Sequence, residues 1–448
     1  MKMRIMPKKT SKILSLALAL ALLAFYVPAN VTASAEADHP FEGGDGWTTP
    51  YGISTVAQLA AMGDYPNTSF ILLNDITVST YSGGKNGVVE TLEGVEFDGN
   101  GYTISGIRSY QGLFAETEGS TIIKNLNVAA SITNSGEDHV GAIVGYAHDY
   151  LQIINCHGSG TVRSDTGYGV GGLVGSMYGS DVLDIIQSSF NGTVQGQYEV
   201  GGLVGKTDYA YIYQCRTSGS VTAIGGSTRY GNDAGGLVGD FQGTMQQCFS
   251  SATIVGETNV GGLVGTFGPG ANRPVMVKDS YSTGRVTGYG TNVGGIAGHM
   301  QPTAGDADID NCYSTSTLTG NANVGGIVGN SGSRSWVTDC YAINTSLTIT
   351  SRNSMFGRVT GEASALCSNI YGKTNLRMSN TDGDTVGNGH DGDDMSLTQL
   401  QSQSSYYGWN FSSIWKMNPY YSSYPTLQWQ EENQQSVALN ETAITIRV

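Results

Sequence analysis

The sequence predicts an all-β protein built as a right-handed parallel β-helix of about nine coils, each of about 30 residues. Three observations predict this fold: a glycine pentapeptide that recurs along the chain, a second column of small residues in the same register, and short β-branched runs without helical periodicity. In such a solenoid, equivalent residues of successive coils stack about 4.8 Å apart.

The pentapeptide reads Gly-Gly-Leu-Val-Gly in its commonest form and begins at positions 141, 171, 201, 235, 261, 294 and 325, with degenerate copies at 111 and 353. The copies start 26 to 34 residues apart, a period typical of solenoids. We expect their central apolar residues to form an inward ladder in which Leu263 lies between Leu237 and Ile296. We expect the paired glycines to turn the chain tightly through positive φ angles.

The second column gathers all six cysteines of the chain: it comprises Leu126, Cys156, Ser188, Cys215, Cys248, Ser280, Cys312, Cys340 and Cys367. Six cysteines in an exported protein suggest a disulfide framework. Leu and Ser in the same column instead favour a small buried position, and the Cβ vectors of stacked coils run parallel rather than converging. The column therefore predicts free, buried thiols, with an oxidised pair as the open alternative.

The two ends of the chain differ from the repeats in composition. Residues 1–35 combine five basic residues, an apolar run from Ile13 to Val27 and an Ala33-Ser34-Ala35 cleavage site, which predicts a secretory signal peptide. The other predicted segments are an N-terminal cap with the first coil strands at 36–110, the repeats at 111–378, an acidic loop with a C-terminal cap at 379–430, and a tail at 431–448.

Each cap has its own signal. Thr55-Val-Ala-Gln58 is a capping box that opens a predicted helix from Val56 to Met62, which Gly63 stops. The C-terminal cap is rich in aromatic residues: Tyr406, Tyr407, Trp409, Phe411, Trp415, Tyr420, Tyr421, Tyr424 and Trp429. This composition favours an apolar lid on the last coil, and a sugar-binding platform is the alternative.

Composition narrows the class of partner. The formal charge is −15, and removing residues 1–35 makes it −20, which disfavours nucleic acid and anionic membranes as partners.

Candidate catalytic and metal-binding residues are few. Asp306, Asp308 and Asp310 alternate and would share one face of a strand, but we expect no matching Lys or His cluster from an adjacent coil. The six histidines show no metal-ligand spacing, and nucleotide and serine-hydrolase motifs are absent. We predict no catalytic, cofactor or metal site.

One acidic segment keeps an alternative open. Asp382, Asp384, Asp391 and Asp393 lie in a stretch rich in Gly and Asn that suits a weak extracellular calcium site. No Glu closes the loop as in an EF-hand, which favours a solvated acidic loop.

The Gly-Gly-Leu-Val-Gly repeats resemble the GLUG motif of bacterial surface proteins. The opening at 41–59, the segment Phe97–Ile104 and the closing Gly408–Phe411 and Tyr424–Leu427 are also similar to that family, so the resemblance covers about 41–430. It implies a secreted or wall-attached scaffold that is often one module of a longer, adhesin-like chain. Some relatives carry immunoglobulin-cleaving metallopeptidase domains, but this chain has no H-E-x-x-H. The tail Ser436–Val448 resembles the first strand of a bacterial immunoglobulin-like domain, so the chain is expected to be either a fragment or freely released.

The sequence thus predicts a secreted or cell-surface scaffold that binds an extracellular glycan, matrix or protein partner without catalysis, and with no cofactor, nucleic acid or membrane insertion. The alternatives are a carbohydrate-active enzyme, either polysaccharide lyase or glycosidase, and a structural spacer within a larger surface protein.

Overall fold

The computed structural model describes residues 39–78, 86–134, 136–179, 181–225, 232–268, 275–351, 355–362, 364–380, 390–417 and 424–430. The described residues from Phe41 to Gln430 belong to one compact unit. The predicted signal peptide at 1–35 and the predicted tail at 431–448 lie outside the described residues.

The unit is a parallel β-solenoid of about nine coils, as predicted, with its strands gathered in three sheets. Sheet 1 contains nineteen strands: Tyr51–Ile53, Ser69–Leu72, Gly87–Glu93, Glu96–Asp98, Gly112–Glu118, Ser120–Lys124, Val144–Ala147, Tyr150–Ile154, Val174–Met177, Val182–Ile186, Val204–Tyr213, Val238–Gln246, Val264–Phe267, Val275–Lys278, Ala297–Met300, Ala307–Asp310, Val328–Ser331, Ser335–Thr338 and Leu366–Ser368.

Sheet 2 follows sheet 1 in each coil, and sheet 3 returns the chain to sheet 1. Sheet 2 contains Ile76–Thr77, Thr103–Ile107, Asn127–Asn134, His157–Ser164, Ser189–Gly196, Arg216–Ala223, Phe249–Ser250, Thr253–Gly256, Tyr281–Ser282, Arg285–Gly288, Tyr313–Ser314, Thr317–Gly320, Tyr341–Ala342, Ser346–Ile349, Tyr371–Lys373, Arg377–Asn380 and Asp393–Met395. Sheet 3 contains Tyr168–Gly171, Tyr198–Gly201, Ala234–Gly235, Val260–Gly261, Thr291–Gly294, Ala322–Gly325 and Phe356–Gly357.

The predicted apolar ladder is confirmed. The backbone N–H of Leu237 donates to the carbonyl of Leu263 at 2.8 Å, and that of Leu263 donates to the carbonyl of Ile296 at 2.9 Å. All three side chains are fully buried, so this column runs through the core between the sheets. Burial of such a column removes apolar surface from water in every coil, which is the main stabilising term of the fold.

The pentapeptide requires glycine for a reason other than the positive φ angles that the sequence predicted. The glycines of the complete copies are not among those with positive φ. Instead, a Cβ on Gly262 would lie 1.9 Å from the carbonyl oxygen of Gly295 in the next coil, and one on Gly239 would lie 2.5 Å from the backbone of Glu199. The glycines are needed because neighbouring coils approach too closely for any side chain.

Positive φ occurs just before the pentapeptide, at His139, Glu199, Asn259, Asn292 and Asn323. It recurs most regularly at a polar turn column between sheet 1 and sheet 2, formed by Asn125, Asn155, Gln187, Gln214, Gln247, Asp279, Asn311, Asp339 and Asn369. The side chains of this column form hydrogen-bond ladders, such as Asn155 Nδ2 to Asn125 Oδ1 at 2.9 Å. Asn adopts the left-handed region at lower cost than most residues, which explains its enrichment here.

The cysteine column follows these turn residues, and the described cysteines are all free, as predicted. The placement of Cys367 in this column was wrong, because Cys367 pairs with Val337 on sheet 1 and the position after Asn369 belongs to Ile370. The copy assigned to 353 was also out of register: Gly325 pairs with Gly357, so the last degenerate copy begins at Gly357.

The predicted N-terminal helix is present at Val56–Ala61, and a 3-10 turn at Met62–Asp64 follows it. Thr55 and Gln58 form the expected capping box. Leu59 and Met62 are buried, so the helix contributes to the core of the first coil.

The aromatic C-terminal segment is a buried apolar element, but it lies along the side of the solenoid. It comprises Leu397–Leu400, a 3-10 turn at Gln403–Ser405, and an antiparallel hairpin of Trp415–Met417 with Pro425–Leu427. We call residues 396–417 and 424–430 the strap. The strap covers a stack of aromatic rings on the outer face of sheet 2, formed by Phe249, Tyr281, Tyr313, Tyr341 and Tyr371.

The indole nitrogens of the strap are bonded to turns of the solenoid. Trp409 Nε1 donates to the carbonyl of Asp339 at 3.2 Å, and Trp429 Nε1 donates to the carbonyl of Gln247 at 2.9 Å. The strap therefore runs back along several coils, because the apolar surface that needs cover is this lateral stack.

Candidate binding groove

The pentapeptide forms the corner where sheet 3 ends and sheet 1 begins. Its last glycine packs against the backbone of the preceding coil: a Cβ on Gly205 would lie 2.4 Å from the carbonyl carbon of Gly169. This close approach brings two positions together. The first is the residue two positions before a pentapeptide, and the second is the residue immediately after a pentapeptide. Because both positions lie on the outside of the corner, they form two facing rows.

We call the strip of surface that these two rows form the corner groove. The turn row, two residues before each complete pentapeptide, is His139, Gly169, Glu199, Asp233, Asn259, Asn292 and Asn323. The strand row, in register along sheet 1, is Glu116, Tyr146, Ser176, Lys206, Asp240, Thr266, His299 and Asn330.

Direct contacts join the two rows across the groove. Lys206 Nζ lies 2.6 Å from Glu199 Oε1, and Thr266 Oγ1 donates to Asp233 Oδ1 at 2.6 Å. At the end of the groove nearer the C-terminus, Asn330 Nδ2 donates to Asn292 Oδ1 at 3.3 Å. The groove is therefore lined by polar groups that hold each other in place.

The middle of the groove carries partly buried charges. Lys206 Nζ bridges Glu199 and Asp240, which it approaches to 3.0 Å, and the three side chains are 17% to 23% exposed. Burial alone lowers the pKa of Lys206, but the attraction of Asp240 and Glu199 outweighs it and raises the pKa. Burial raises the pKa of both carboxyls against the opposing effect of Lys206.

Asp233 lies beside this ion pair and is 8% exposed. Its Oδ1 accepts hydrogen bonds from Asn259 Nδ2 at 2.8 Å and from Thr266 Oγ1 at 2.6 Å. Burial, reinforced by the charge of Asp240, raises the pKa of Asp233 to about 8. The groove thus holds the Asp233 carboxyl, which is protonated near neutral pH, beside two carboxyl groups that lie close to the Lys206 cation.

The two ends of the groove differ in chemistry. Nearer the N-terminus, the His139 ring lies 4.8 Å from Tyr146 and 5.4 Å from Tyr178, and Lys206 Nζ lies 5.5 Å over the Tyr178 ring. Burial lowers the pKa of His139, which favours the neutral imidazole. Nearer the C-terminus an amide ladder follows, in which Asn292 Nδ2 donates to Asn259 Oδ1 at 2.7 Å.

The acidic residues singled out in the sequence lie elsewhere. Asp308 and Asp310 share the outer face of one strand, as expected, but an adjacent coil does supply a cation: Lys278 Nζ lies 2.5 Å from Asp310 Oδ2. The adjacent coil therefore supplies one lysine to Asp310, which is less than the Lys or His cluster that the sequence analysis looked for. The register Lys278↔Asp310 places the two side chains directly opposite on neighbouring strands.

The predicted calcium segment is only partly described. Asp382 and Asp384 lie outside the described residues. Asp391 Oδ1 accepts from the backbone N–H of Arg358 at 2.9 Å, while Asp393 is exposed on a short strand. Within the described ranges, no group of three or more His, Cys, Asp or Glu side chains could hold a metal ion.

The corner groove contains none of the catalytic motifs that can be recognised in a sequence. The signal was present at fixed offsets from the pentapeptide: polar residues recur two positions before it and one position after it, as with Glu199 and Lys206 around Gly201–Gly205. Solenoid stacking converts each such offset into a continuous row.

The carboxyl of Asp233 gives a pH-dependent prediction. Its pKa is about 8 in the folded chain, above the ordinary 3.8. Between these values the folded state holds a proton that the unfolded state lacks, so this group's stabilising contribution is lost as pH rises from about 4 to about 8. We expect Asp233→Asn to raise the free energy of unfolding by about 1–3 kcal/mol at pH 8.5 and to change it little at pH 4.5.

Chemical denaturation of both proteins at the two pH values measures this difference. Asp64→Asn, on an exposed 3-10 turn, is the control and should match the parent at both. Equal effects of Asp233→Asn at pH 4.5 and 8.5 would show that Asp233 does not titrate with a raised pKa.

Known proteins resemble parts of this chain. No protein-family model matches it. A stretch of 180 residues, 37% of the chain, is 33% identical to halomucin of Haloquadratum walsbyi, and a stretch of 181 residues, 39% of the chain, is 27% identical to an immunoglobulin A1 protease of Streptococcus pneumoniae. The chain spans 2% and 9% of the length of these two relatives.

Among solved structures, a candidate immunoglobulin A1 protease from Bacteroides ovatus is similar over 87% of this chain and 95% of its own, with 17% identity and a TM-score of 0.39. In the described part of the chain, no helix is long and apolar enough to cross a membrane. The partial sequence similarity to halomucin and the immunoglobulin A1 protease is consistent with an extracellular location.

Proposed function

We propose that this chain is an extracellular binding scaffold of the GLUG-motif type, and that its corner groove takes an extended ligand. The observation that carries the proposal is the pair of facing polar rows, which repeats from coil to coil over the strands from Val144 to Ser331. A ligand lying along the groove would meet one set of polar groups in every coil. Many weak contacts of this kind add up to firm attachment.

The spacing of the rows favours a glycan over a peptide. Successive coils repeat about every 4.8 Å, whereas an extended peptide advances about 3.3 Å per residue and would drift out of phase. One sugar of an extended β-linked chain advances by close to one coil. Hydroxyl, amide and carboxyl groups beside aromatic rings, as at Tyr146, Thr266 and Asn292, suit the hydroxyls and the apolar ring faces of sugars.

The scaffold acts by display rather than by turnover. Lys206, Glu199 and Asp240 are engaged with each other, since the one cation lies between the two carboxyl groups. The predicted signal peptide, the partial relatives and the resemblance to GLUG-motif surface proteins support placing the chain outside the cell or on its surface.

A second candidate is a carbohydrate-active enzyme. The observation that favours it is the carboxyl of Asp233, whose pKa of about 8 would keep a proton available near neutral pH within the same groove as Asp240. Glycosidases use one protonated and one ionised carboxyl across a scissile bond. A structural spacer remains the third candidate, and it would need neither binding nor products.

A polysaccharide and matrix-protein panel tests these candidates in one experiment, in which retention and released products are measured together. We expect retention of an extended glycan without reducing ends or unsaturated products. Tyr146→Ala should weaken retention about tenfold, whereas Tyr289→Ala, an exposed tyrosine outside the groove, should not.

The other outcomes contradict the proposal in distinct ways. Products that Asp233→Asn abolishes would establish the enzyme. Neither retention nor products would leave the spacer. Retention that Tyr146→Ala does not affect would place the ligand outside the corner groove.

A further inference from the structure

The outer face of sheet 2 carries aromatic side chains in its C-terminal coils and polar side chains in its N-terminal coils. One row of its outward side chains is aromatic from Phe249 to Tyr371, and the strap covers it. The described part of the strap reaches the start of this stack, where Trp429 packs on Phe249 with ring centroids 5.8 Å apart. In the next coil toward the N-terminus, Arg216 pairs with Phe249 in register. The row then continues through Ser189 and His157.

This part of sheet 2, which no described segment of the strap covers, carries a local positive charge. Its strands Asn127–Asn134, His157–Ser164, Ser189–Gly196 and Arg216–Ala223 contain no Asp or Glu, although the chain has 37 acidic residues against 22 basic ones. Arg163 on these strands is neutralised by Asp165 at 2.6 Å. Arg216 is therefore the residue that gives this face its positive charge.

The Arg216 guanidinium is partly buried. Burial lowers its pKa, and no carboxylate of the described residues counteracts that effect. A desolvated cation without a counter-charge attracts an anion strongly, and the planar guanidinium can bind a carboxylate or sulfate through two parallel hydrogen bonds.

Polar groups and rings surround this cation. Ser189 Oγ lies 2.9 Å from His157 Nδ1 in the same row. Asn191 and Ser218 are in register with each other. They lie two residues after Ser189 and Arg216, at the next outward-facing position of the same strands. Phe249 borders Arg216 on the side of the strap, and Trp429 packs on Phe249. Hydroxyls and an amide beside a cation and an aromatic edge match a sugar that bears an anionic group.

We propose that the Arg216 patch, formed by His157, Ser189, Asn191, Arg216 and Ser218, binds an anionic saccharide with its carboxylate or sulfate on the Arg216 guanidinium. The patch lies on sheet 2 and is separate from the corner groove, so this site goes beyond the proposed function. It would give an acidic chain a specific affinity for acidic glycans that its overall charge repels.

Affinity electrophoresis of the full chain in gels containing polygalacturonate, heparin or neutral dextran tests the site. We expect retardation by one or both acidic polymers but not by dextran, and the two acidic gels distinguish carboxylate from sulfate recognition. Arg216→Gln should weaken this binding at least about tenfold, because it removes a charged hydrogen-bond donor. Arg163→Gln, on the same face but already ion-paired, should stay within about twofold.

Arg216→Lys guards against a folding defect, because it keeps the charge and the apolar stem while losing the planar donor pair; we expect an intermediate loss. The proposal is overturned by equal retardation in dextran, by no retardation in either acidic gel, or by equal effects of Arg216→Gln and Arg163→Gln. Loss of binding with Tyr146→Ala but not with Arg216→Gln would assign the acidic glycan to the corner groove instead.

Discussion

Gly239→Ala is expected to destabilise the solenoid by about 3 kcal/mol or more, since an added Cβ would lie 2.5 Å from the carbonyl carbon of Glu199 and 2.6 Å from the carbonyl oxygen of Gly205. These are backbone atoms of the preceding coil, so no side chain can rotate away to make room. The expected result is a lower midpoint of chemical unfolding, together with separation of the two rows of the corner groove.

Gly179→Ala is the matched control, because Gly179 has φ +84° but nothing within 4 Å of the added Cβ. It should cost about 1–2 kcal/mol from backbone strain alone. If Gly239→Ala were no more destabilising than Gly179→Ala, the explanation of the pentapeptide by close approach of coils would be wrong.

Trp415→Ala is expected to release the strap. Trp415 is fully buried, its ring lies 4.5 Å from that of Trp409 and 6.0 Å from that of Tyr313, and its Nε1 donates to Asp279 Oδ1 at 3.1 Å. Loss of this side chain should cost about 3–5 kcal/mol of packing. It also removes one of the two side-chain donors to the buried carboxyl of Asp279, whose pKa burial already raises, and leaves Asn311 Nδ2 at 3.3 Å as the other.

Limited proteolysis measures this release, read as the rate of cleavage within 396–430. Tyr407→Ala changes an aromatic residue of the same strap that is 82% exposed, and should leave the rate close to that of the parent. Cleavage of Trp415→Ala at the parent rate would mean that the strap is not held by its aromatic contacts with sheet 2.

The coil architecture could be predicted because solenoid stacking repeats each local pattern. Leu237, Leu263 and Ile296 were recognisable as one column from their place in the pentapeptide alone. The role of the pentapeptide glycines could not be recognised in this way. A sequence does not distinguish a glycine that adopts positive φ from a glycine that leaves room for a neighbouring backbone. Cys367 was misplaced for a related reason: the sequence does not show that Asn369 is the turn residue, which puts Ile370 in the column and Cys367 on the strand before it.

The strap and the groove show what repeat analysis leaves undetermined. The aromatic segment was recognisable as an apolar cover, but its partner is the stack of tyrosines such as Tyr281 and Tyr313, which becomes visible only once sheet 2 is assembled. Likewise, Glu199 and Lys206 are seven positions apart on two different sheets, and only the corner brings them to 2.6 Å. Asp233 gains its raised pKa from this tertiary burial.

Hydrogen–deuterium exchange with the glycan retained in the panel tests the role of the corner groove most directly. The Arg216→Gln variant is the protein to use, so that the second site does not contribute. We predict that the glycan slows exchange at the backbone amides flanking the corners, at 198–206, 232–240, 259–266 and 291–299. Protection confined to the outer strands Tyr150–Ile154 and Val182–Ile186, or no change at the corners, would contradict the account.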